Sequence, residues 1–411
     1  MIATDADIIF AGGGTAGLCA ALALARSAPD LKVEVVDARA PNTTGGDERA
    51  SAIAAAARRM LVELGVWTAV EADAQPIVAM EITDSRTGDV ARPVFLTFDG
   101  AVSEGEPFAH MVPNRRLAEA LREAAKSAGV RLTAPDRVSA YTVDRAATEV
   151  TLASGERRRV KLLIAADGIR SRLRTLAGIR TVTWSYPQTA IVATVAHERP
   201  HHGVAIEHFL PGGPFAILPL KGERSSLVWT DRKPYAETLV AQAAAGDDFA
   251  FMAELERRFG RRLGALSLEG KPQAYPLGLT LARDLMRPRF ALLGDAAHGI
   301  HPIAGQGLNL GFRDAAALAE TIVDAFRLGL DIGSEEVLRR YERWRRFDIW
   351  QMGLTTDLLN RVFSNDIGPL RAMRDLGLGI VDRLPRLKER FIGEAAGLSG
   401  ELPKLMLGQA L

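Results

Sequence analysis

A glycine pattern, a carboxylate and two later loops hold the chemistry that can be read from this sequence. Gly12, Gly14 and Gly17 form Gly-x-Gly-x-x-Gly. Glycines at this spacing permit a tight turn and let backbone N–H groups approach a pyrophosphate at a helix N-terminus. Asp37 comes 20 residues after Gly17, where a carboxylate at a strand end can take both hydroxyls of an adenosine ribose. These residues work only if the elements around them are a strand, a helix and a second strand. Residues 7–11 and 32–36 have strand character and residues 18–27 helical character, which makes one βαβ unit. The pattern predicts a dinucleotide site and leaves NAD and FAD equally open, since both carry an ADP half.

Two later segments bear on that choice. One reads Leu-Ile-Ala-Ala-Asp167-Gly168-Ile-Arg170-Ser171-x-x-Arg174. The other reads Phe-Ala-Leu-Leu-Gly294-Asp295-Ala-Ala-His298-x-x-x-Pro302-x-x-Gly305-Gln306-Gly307-Leu308-Asn309. They resemble the Asp-Gly and Gly-Asp signatures of the flavoprotein aromatic hydroxylases, the para-hydroxybenzoate hydroxylase superfamily. The resemblance implies FAD as cofactor and NADPH as a transient co-substrate. It implies that Asp295 accepts hydrogen bonds from the ribityl chain and that Pro302 lies beside the isoalloxazine. The helix opening near Gly307 would turn its free N–H groups toward the flavin's pyrimidine edge, where negative charge develops on reduction. Arg49 and Arg115 would lie along the FAD. Asp167, Gly294, Gly305, Gln306, Leu308 and Asn309 complete the implied cofactor contacts.

Further stretches narrow the resemblance to the ubiquinone-biosynthesis hydroxylases: Arg49-Ala-Ser-Ala-Ile, Leu64-Gly-Val-Trp67, Pro113-Asn-Arg-Arg-Leu-Ala-Glu-Ala-Leu, residues 210–219, and Leu376-Gly-Leu with Leu384-Pro-Arg-Leu-Lys388. The implied reaction is hydroxylation of a polyprenylated phenol by O2 through a C4a-hydroperoxyflavin. Such a substrate asks for an apolar pocket, for which Phe215, Ile217, Leu218 and Trp229 are candidates, although residues of these types are more often plain core. No general base stands out. His298 and Pro302 belong to the flavin loop, as does His301, and His110 and His208 are further candidates to border the substrate; each histidine is as readily structural as catalytic. No metal is expected.

The elements that must position these groups form an α/β chain. Residues 1–75, 101–180 and 276–340 are expected to build a Rossmann-like FAD-binding domain from discontinuous segments. Residues 76–100 and 181–275 would form an inserted, mainly antiparallel substrate domain, and residues 341–411 a helical C-terminal region. Helical spacing is also read over 49–64, ending at Gly65, and over 113–128, ending at Gly129. The 51 basic and 50 acidic residues nearly cancel, so no global field favours nucleic acid. The single cysteine, Cys19, excludes an intrachain disulfide and reads as a packing residue. No secretory signal or spanning segment is read, and the expected location is cytoplasmic.

Other readings remain open at this level. An NAD-dependent dehydrogenase would explain Gly12 to Asp37 and leave the later loops without purpose. A halogenase or a geranylgeranyl reductase shares the implied fold, but the halogenase Trp-x-Trp-x-Ile motif is missing. A noncatalytic role in a biosynthetic assembly is the remaining class. Arg371, Arg374, Arg383, Arg386, Lys388 and Arg390 stand among apolar residues. Their plain reading is a solvated helical face; the alternative is peripheral contact with a membrane or with partners in a complex.

Overall fold

The computed structural model describes residues 5–40, 49–84, 94–99, 101–103, 105–364 and 392–411. One sheet has the strand order Arg131–Thr133, Val33–Val36, Ile8–Ala11, Leu162–Ala165, Phe290–Leu292 and Met286–Arg287. Its first five strands are parallel, and Met286–Arg287 closes the edge as an antiparallel partner. The central strands Ile8–Ala11, Val33–Val36 and Leu162–Ala165 are buried along their whole length, as parallel strands covered on both faces must be. Register aligns their carboxyl ends: Ala11 lies opposite Val36 and Ala165, and Ala165 opposite Leu292. The three sequence signatures therefore begin at one edge of the sheet, where ligands of open α/β folds bind.

The helix Thr15–Ser27 packs on this sheet with residues 17–25 all buried. The long helix Gln306–Arg327 lies against it. Cys19 is inside this core with no exposed surface, and burial pushes its thiol up. The helix Asn114–Ser127 buries Leu117, Leu121 and Ala125 on one stripe and ends before Gly129, whose φ is +87°. Gly65, φ +60°, ends Ala55–Glu63 in the same way.

A second, eight-stranded sheet runs His298–Gly299, Leu266–Ala282, Thr181–His197, Arg224–Arg232, Gly213–Leu220, Val204–Leu210, Ala79–Asp84 and Val94–Asp99. Its neighbours are antiparallel except for Val204–Leu210 with Ala79–Asp84. The helices Lys233–Ala244, which sequence spacing did not reveal, and Phe249–Phe259 cover one face. The expected α/β class, with a parallel and a mainly antiparallel sheet, is thus present. Leu266–Ala282 is one continuous strand that passes through the boundary expected at residue 276.

Two element expectations change. Residues 50–54 are a strand, Ala50–Ala54, paired with Ala109–Pro113, and the helix begins only at Ala55. Tertiary pairing overrides the helix preference of an alanine-rich run. At the other end, Glu335–Phe363 is a long helix capped by the Ser334 hydroxyl, which accepts from the N–H of Val337. Residues 398–411 are helical only at the 3₁₀ turn Lys404–Leu407. The basic residues from Arg371 to Arg390, like Leu376 and Leu384, lie outside the described residues. No helix among the described residues is long and apolar enough to cross a membrane.

Candidate functional site

A cavity of about 2140 Å³ opens between the carboxyl edge of the parallel sheet and the uncovered face of the antiparallel one. Ordinary small-molecule sites occupy roughly 300–1,000 Å³, so this one has room for a dinucleotide and a second ligand. Its lining includes Gly12, Gly14, Gly17, Asp37, Arg49, Arg115, Asp167, Gly294, Asp295, His298, Pro302 and residues 305–309. Segments far apart in sequence are brought to one wall.

The glycines divide their labour. A Cβ on Gly12 would stand 2.1 Å from the Ala166 carbonyl oxygen, and φ there is +120°. A Cβ on Gly17 would stand 2.4 Å from the Gly12 carbonyl oxygen, so this position lets the helix sit close on the strand. A Cβ on Gly14 would meet nothing within 4 Å: the protein leaves this side of the turn clear, as a backbone meeting a pyrophosphate requires. Gly13, which the spacing rule passes over, is also constrained. Its N–H donates to Asp37 Oδ2 at 2.9 Å, and a Cβ would meet that same oxygen at 2.5 Å. Asp37 Oδ1 accepts from the N–H of Arg39 at 2.8 Å. The carboxylate is thereby aimed, and each oxygen keeps a lone pair for another donor.

The Asp-Gly loop is built around Asp167. Its Oδ1 accepts from the Ser171 hydroxyl at 2.5 Å and its Oδ2 from the Leu173 N–H at 3.2 Å. Arg174 then donates to the Ala296 carbonyl at 2.8 Å and the Ile169 carbonyl at 3.0 Å. This tie holds the Asp167 and Asp295 loops together, a role that sequence reading did not assign to Arg174. Asp295 faces the cavity with protein packed behind it. Desolvation raises its carboxyl above the usual range, opposed by His298 and Arg49. Arg49 also lies over Tyr275, 4.8 Å from the ring centre. Arg115 is largely solvent-exposed and paired with Glu119 at 2.9 Å, so its expected contact would be made from the cavity's rim.

Gly305, φ +63°, starts the helix Gln306–Arg327, whose first turn has no side-chain cap. Its leading N–H groups are available to an anion or a developing negative charge. Asn309 serves the scaffold: its Oδ1 accepts from the Ala54 N–H at 2.9 Å and its Nδ2 donates to the Ala52 carbonyl at 2.8 Å. Behind the loop, His298 Nε2 meets Asp314 Oδ2 at 2.6 Å and Arg345 Nε donates to Asp314 Oδ1 at 2.8 Å, all three buried. Burial works to raise the Asp314 carboxyl, but His298 and Arg345 outweigh it and hold it below the usual range. His298 is thus a held part of the loop's support.

The antiparallel wall corrects the pocket candidates. Phe215, Ile217 and Trp229 point away from the cavity, into the core against Phe251, Leu255 and the helix Lys233–Ala244. Trp229 is fixed there by Asp231, which accepts from its Nε1 at 3.1 Å, and by the Arg258 guanidinium over its ring. Leu218 does line the cavity, with Ala216, Val228 and Val192. Strand side chains alternate between faces, and the bulkiest ones serve the covered face. His208 pairs with the Thr83 hydroxyl and stacks on Phe215, and His110 packs edge-on against Trp67; neither lines the cavity.

Two cavity groups carry unspent hydrogen-bonding capacity. His301 is wholly buried, edge-on to Tyr186, and neither ring nitrogen has a hydrogen-bond partner among the described residues; burial lowers it to about 4. Glu207, which sequence reading did not single out, is nearly buried on the antiparallel wall, and burial pushes its carboxyl up to about 8. Trp184 and Tyr186 of the same sheet are held by Asp357 of the C-terminal helix, at 3.1 and 2.7 Å.

These features fit FAD: a turn open only at Gly14, an aimed Asp37, and an uncapped helix end in a cavity of sufficient size. The comparisons agree. The chain matches the FAD binding domain family over residues 5–354. Ubiquinone hydroxylase UbiL of Rhodospirillum rubrum is 45% identical over 99% of this chain and 94% of that protein. The 3-demethoxyubiquinol 3-hydroxylase of Escherichia coli is 36% identical over 95% of this chain and 98% of that protein. Among solved structures, p-nitrophenol 4-monooxygenase PnpA of Pseudomonas putida has a TM-score of 0.79 at 18% identity, over 97% of this chain and 100% of that one, a likeness of fold. With the match running through nearly the whole chain and the cofactor cradle intact, the chain belongs to the FAD-dependent aromatic hydroxylases, among the ubiquinone-biosynthesis hydroxylases.

Proposed function

We propose that this protein is an FAD-dependent, NADPH-using monooxygenase that hydroxylates the ring of a polyprenylated phenol in ubiquinone biosynthesis. The observation that carries the proposal is a single cavity that joins a dinucleotide cradle to an apolar antiparallel wall. The names of the relatives support the substrate class.

When bound, FAD supplies the redox chemistry, taking a hydride from reduced nicotinamide and passing an activated oxygen from O2 to the ring. The chain's own residues do the positioning. Gly14 and the N-terminus of Thr15–Ser27 would take the pyrophosphate and Asp37 the ribose. The leading N–H groups of the helix Gln306–Arg327 would stabilise negative charge at the flavin's pyrimidine edge. Asp295 would hold the ribityl chain, and Arg49 would add positive charge beside it. The wall of Val192, Val228, Ala216 and Leu218 would seat the ring and keep water from the reacting atoms. The sequence has no second Gly-x-Gly-x-x-Gly, so NADPH would enter transiently, without a Rossmann unit of its own.

The test is to reconstitute purified protein with FAD and follow NADPH oxidation with and without a geranyl-substituted phenol, analysing the product. FAD binding, faster oxidation with the phenol and a hydroxylated ring are expected. FAD binding with no hydroxylated product from any phenol, prenylated or not, would contradict the monooxygenase reading.

A further inference from the structure

A row of side chains crosses the cavity face of the large sheet in direct register: Val192 opposite Val228, Val228 opposite Ala216, and Ala216 opposite Glu207. Three of these are small and apolar. The fourth is Glu207, a residue with 5% of its surface exposed, on the cavity lining. It makes no hydrogen bond or ion pair among the described residues. On its other side the strand pairs Glu207 with Ile82, which offers no polar side chain either.

Buried polar groups nearly always have a partner, and a carboxyl left without one destabilises the fold. The partner is therefore to be sought in the cavity. Burial raises the group to about 8, so near neutral pH it is chiefly a carboxylic acid, with one O–H to donate and a carbonyl to accept. That pairing suits a ring hydroxyl, which can accept from the O–H and donate to the carbonyl oxygen. We infer that Glu207 anchors an oxygen substituent of the substrate ring by hydrogen bonding, and so sets which ring carbon is presented for hydroxylation. The inference rests on the hydroxylase reading above and deepens it, assigning the orientation of the ring to a residue in an otherwise apolar wall.

The experiment compares binding of a geranyl-substituted phenol with that of geranylbenzene, which lacks the hydroxyl, to FAD-loaded parent, Glu207→Gln and Glu207→Leu. FAD content and melting temperature are measured alongside. The parent should prefer the phenol by about tenfold, the worth of one good hydrogen bond. Glu207→Gln, which keeps a donor and an acceptor, should retain most of that preference. Glu207→Leu should lose it, consume NADPH without matching product, and scatter hydroxylation over more than one ring position. A parent that binds both probes equally overturns the inference, and this arm needs no variant to fold. Retained preference in Glu207→Leu overturns it as well, and equal loss in Gln and Leu variants overturns the neutral hydrogen-bonding role. Failure of the parent to hydroxylate either probe or any other phenol would instead count against the hydroxylase reading itself.

Discussion

The two walls of the cavity are specified in different ways. On the dinucleotide side the turn is fixed by its backbone: Gly12, Gly13 and Gly17 are each closed to a Cβ by a neighbouring atom, while Gly14 is left open. On the antiparallel side the wall is made of side chains, and neighbouring residues on one strand have opposite duties. Phe215 fills the core under the sheet, and Ala216 lines the cavity above it. A backbone site tolerates few residue types at fixed spacing. A side-chain wall is defined by which face each residue takes, and one residue's displacement along the strand reverses the assignment.

The largest expected effect sharpens the first half of this contrast. Gly12→Ala should cost more than about 4 kcal/mol, because the new Cβ meets a backbone oxygen at a left-handed φ. It should yield little FAD-loaded protein. Gly14→Ala should change apoprotein stability by under about 1 kcal/mol yet weaken FAD binding markedly. Melting curves of both apoproteins, with FAD titrations, would break the contrast if the two variants lost stability alike.

The support behind the flavin loop comes next. Asp314→Asn leaves the fully buried Arg345 paired with Asp348 alone among the described residues, a change worth roughly 3 kcal/mol in denaturant unfolding. Since the folded Asp314 carboxyl is held below its usual range, the parent's pair stabilises fully above about pH 4. That contribution is lost as pH falls through the folded value. An Asn variant with parental stability at neutral pH would show that the buried network contributes little.

On the antiparallel wall, Phe215→Ala should cost roughly 3–5 kcal/mol and leave KM for a prenylated phenol within about twofold. Leu218→Ala, one face over, should raise KM by more while destabilising less. Steady-state kinetics beside unfolding curves read both, and a Phe215 variant with the larger KM effect would reverse the assigned faces. Glu207 supplies a smaller, pH-dependent signature. The folded protein keeps this proton up to about pH 8, whereas the unfolded chain releases it near 4.5. Because burial penalises the ionised form, the fold loses stability as pH rises from about 4.5 toward 8, by roughly 3 kcal/mol between pH 5 and 8. Glu207→Gln should flatten that slope in melts across the same range; an unchanged slope would place the titration elsewhere.

This difference between walls also decided what could be read from sequence. The turn at Gly12 to Gly17 and Asp37 were legible because residue type and spacing express what a βαβ dinucleotide turn requires, whereas the Asp167 and Asp295 loops were legible through their resemblance to the aromatic-hydroxylase signatures. Gly13 escaped notice because its constraint is the Asp37 carboxylate, 24 residues away. Residues 50–54 looked helical from their alanines, and the strand exists because of Ala109–Pro113 and the Asn309 amide, contacts remote in sequence. The largest apolar residues are the natural pocket candidates in the sequence, but a cavity persists where side chains are small, so Ala205, Ala216, Val192 and Val228 are the better signal. Glu207 shares a strand face with the small, cavity-lining Ala205, two residues before it, a placement that only the paired sheet supplies.

The most direct test of the account is oxygen-isotope labelling. FAD-reconstituted protein is given NADPH, a geranyl-substituted phenol and heavy-isotope O2, and the product is examined by mass spectrometry. One labelled oxygen on the ring is expected, in product that forms only when FAD is bound. Product oxygen that carries no label, or turnover undiminished without FAD, would contradict it.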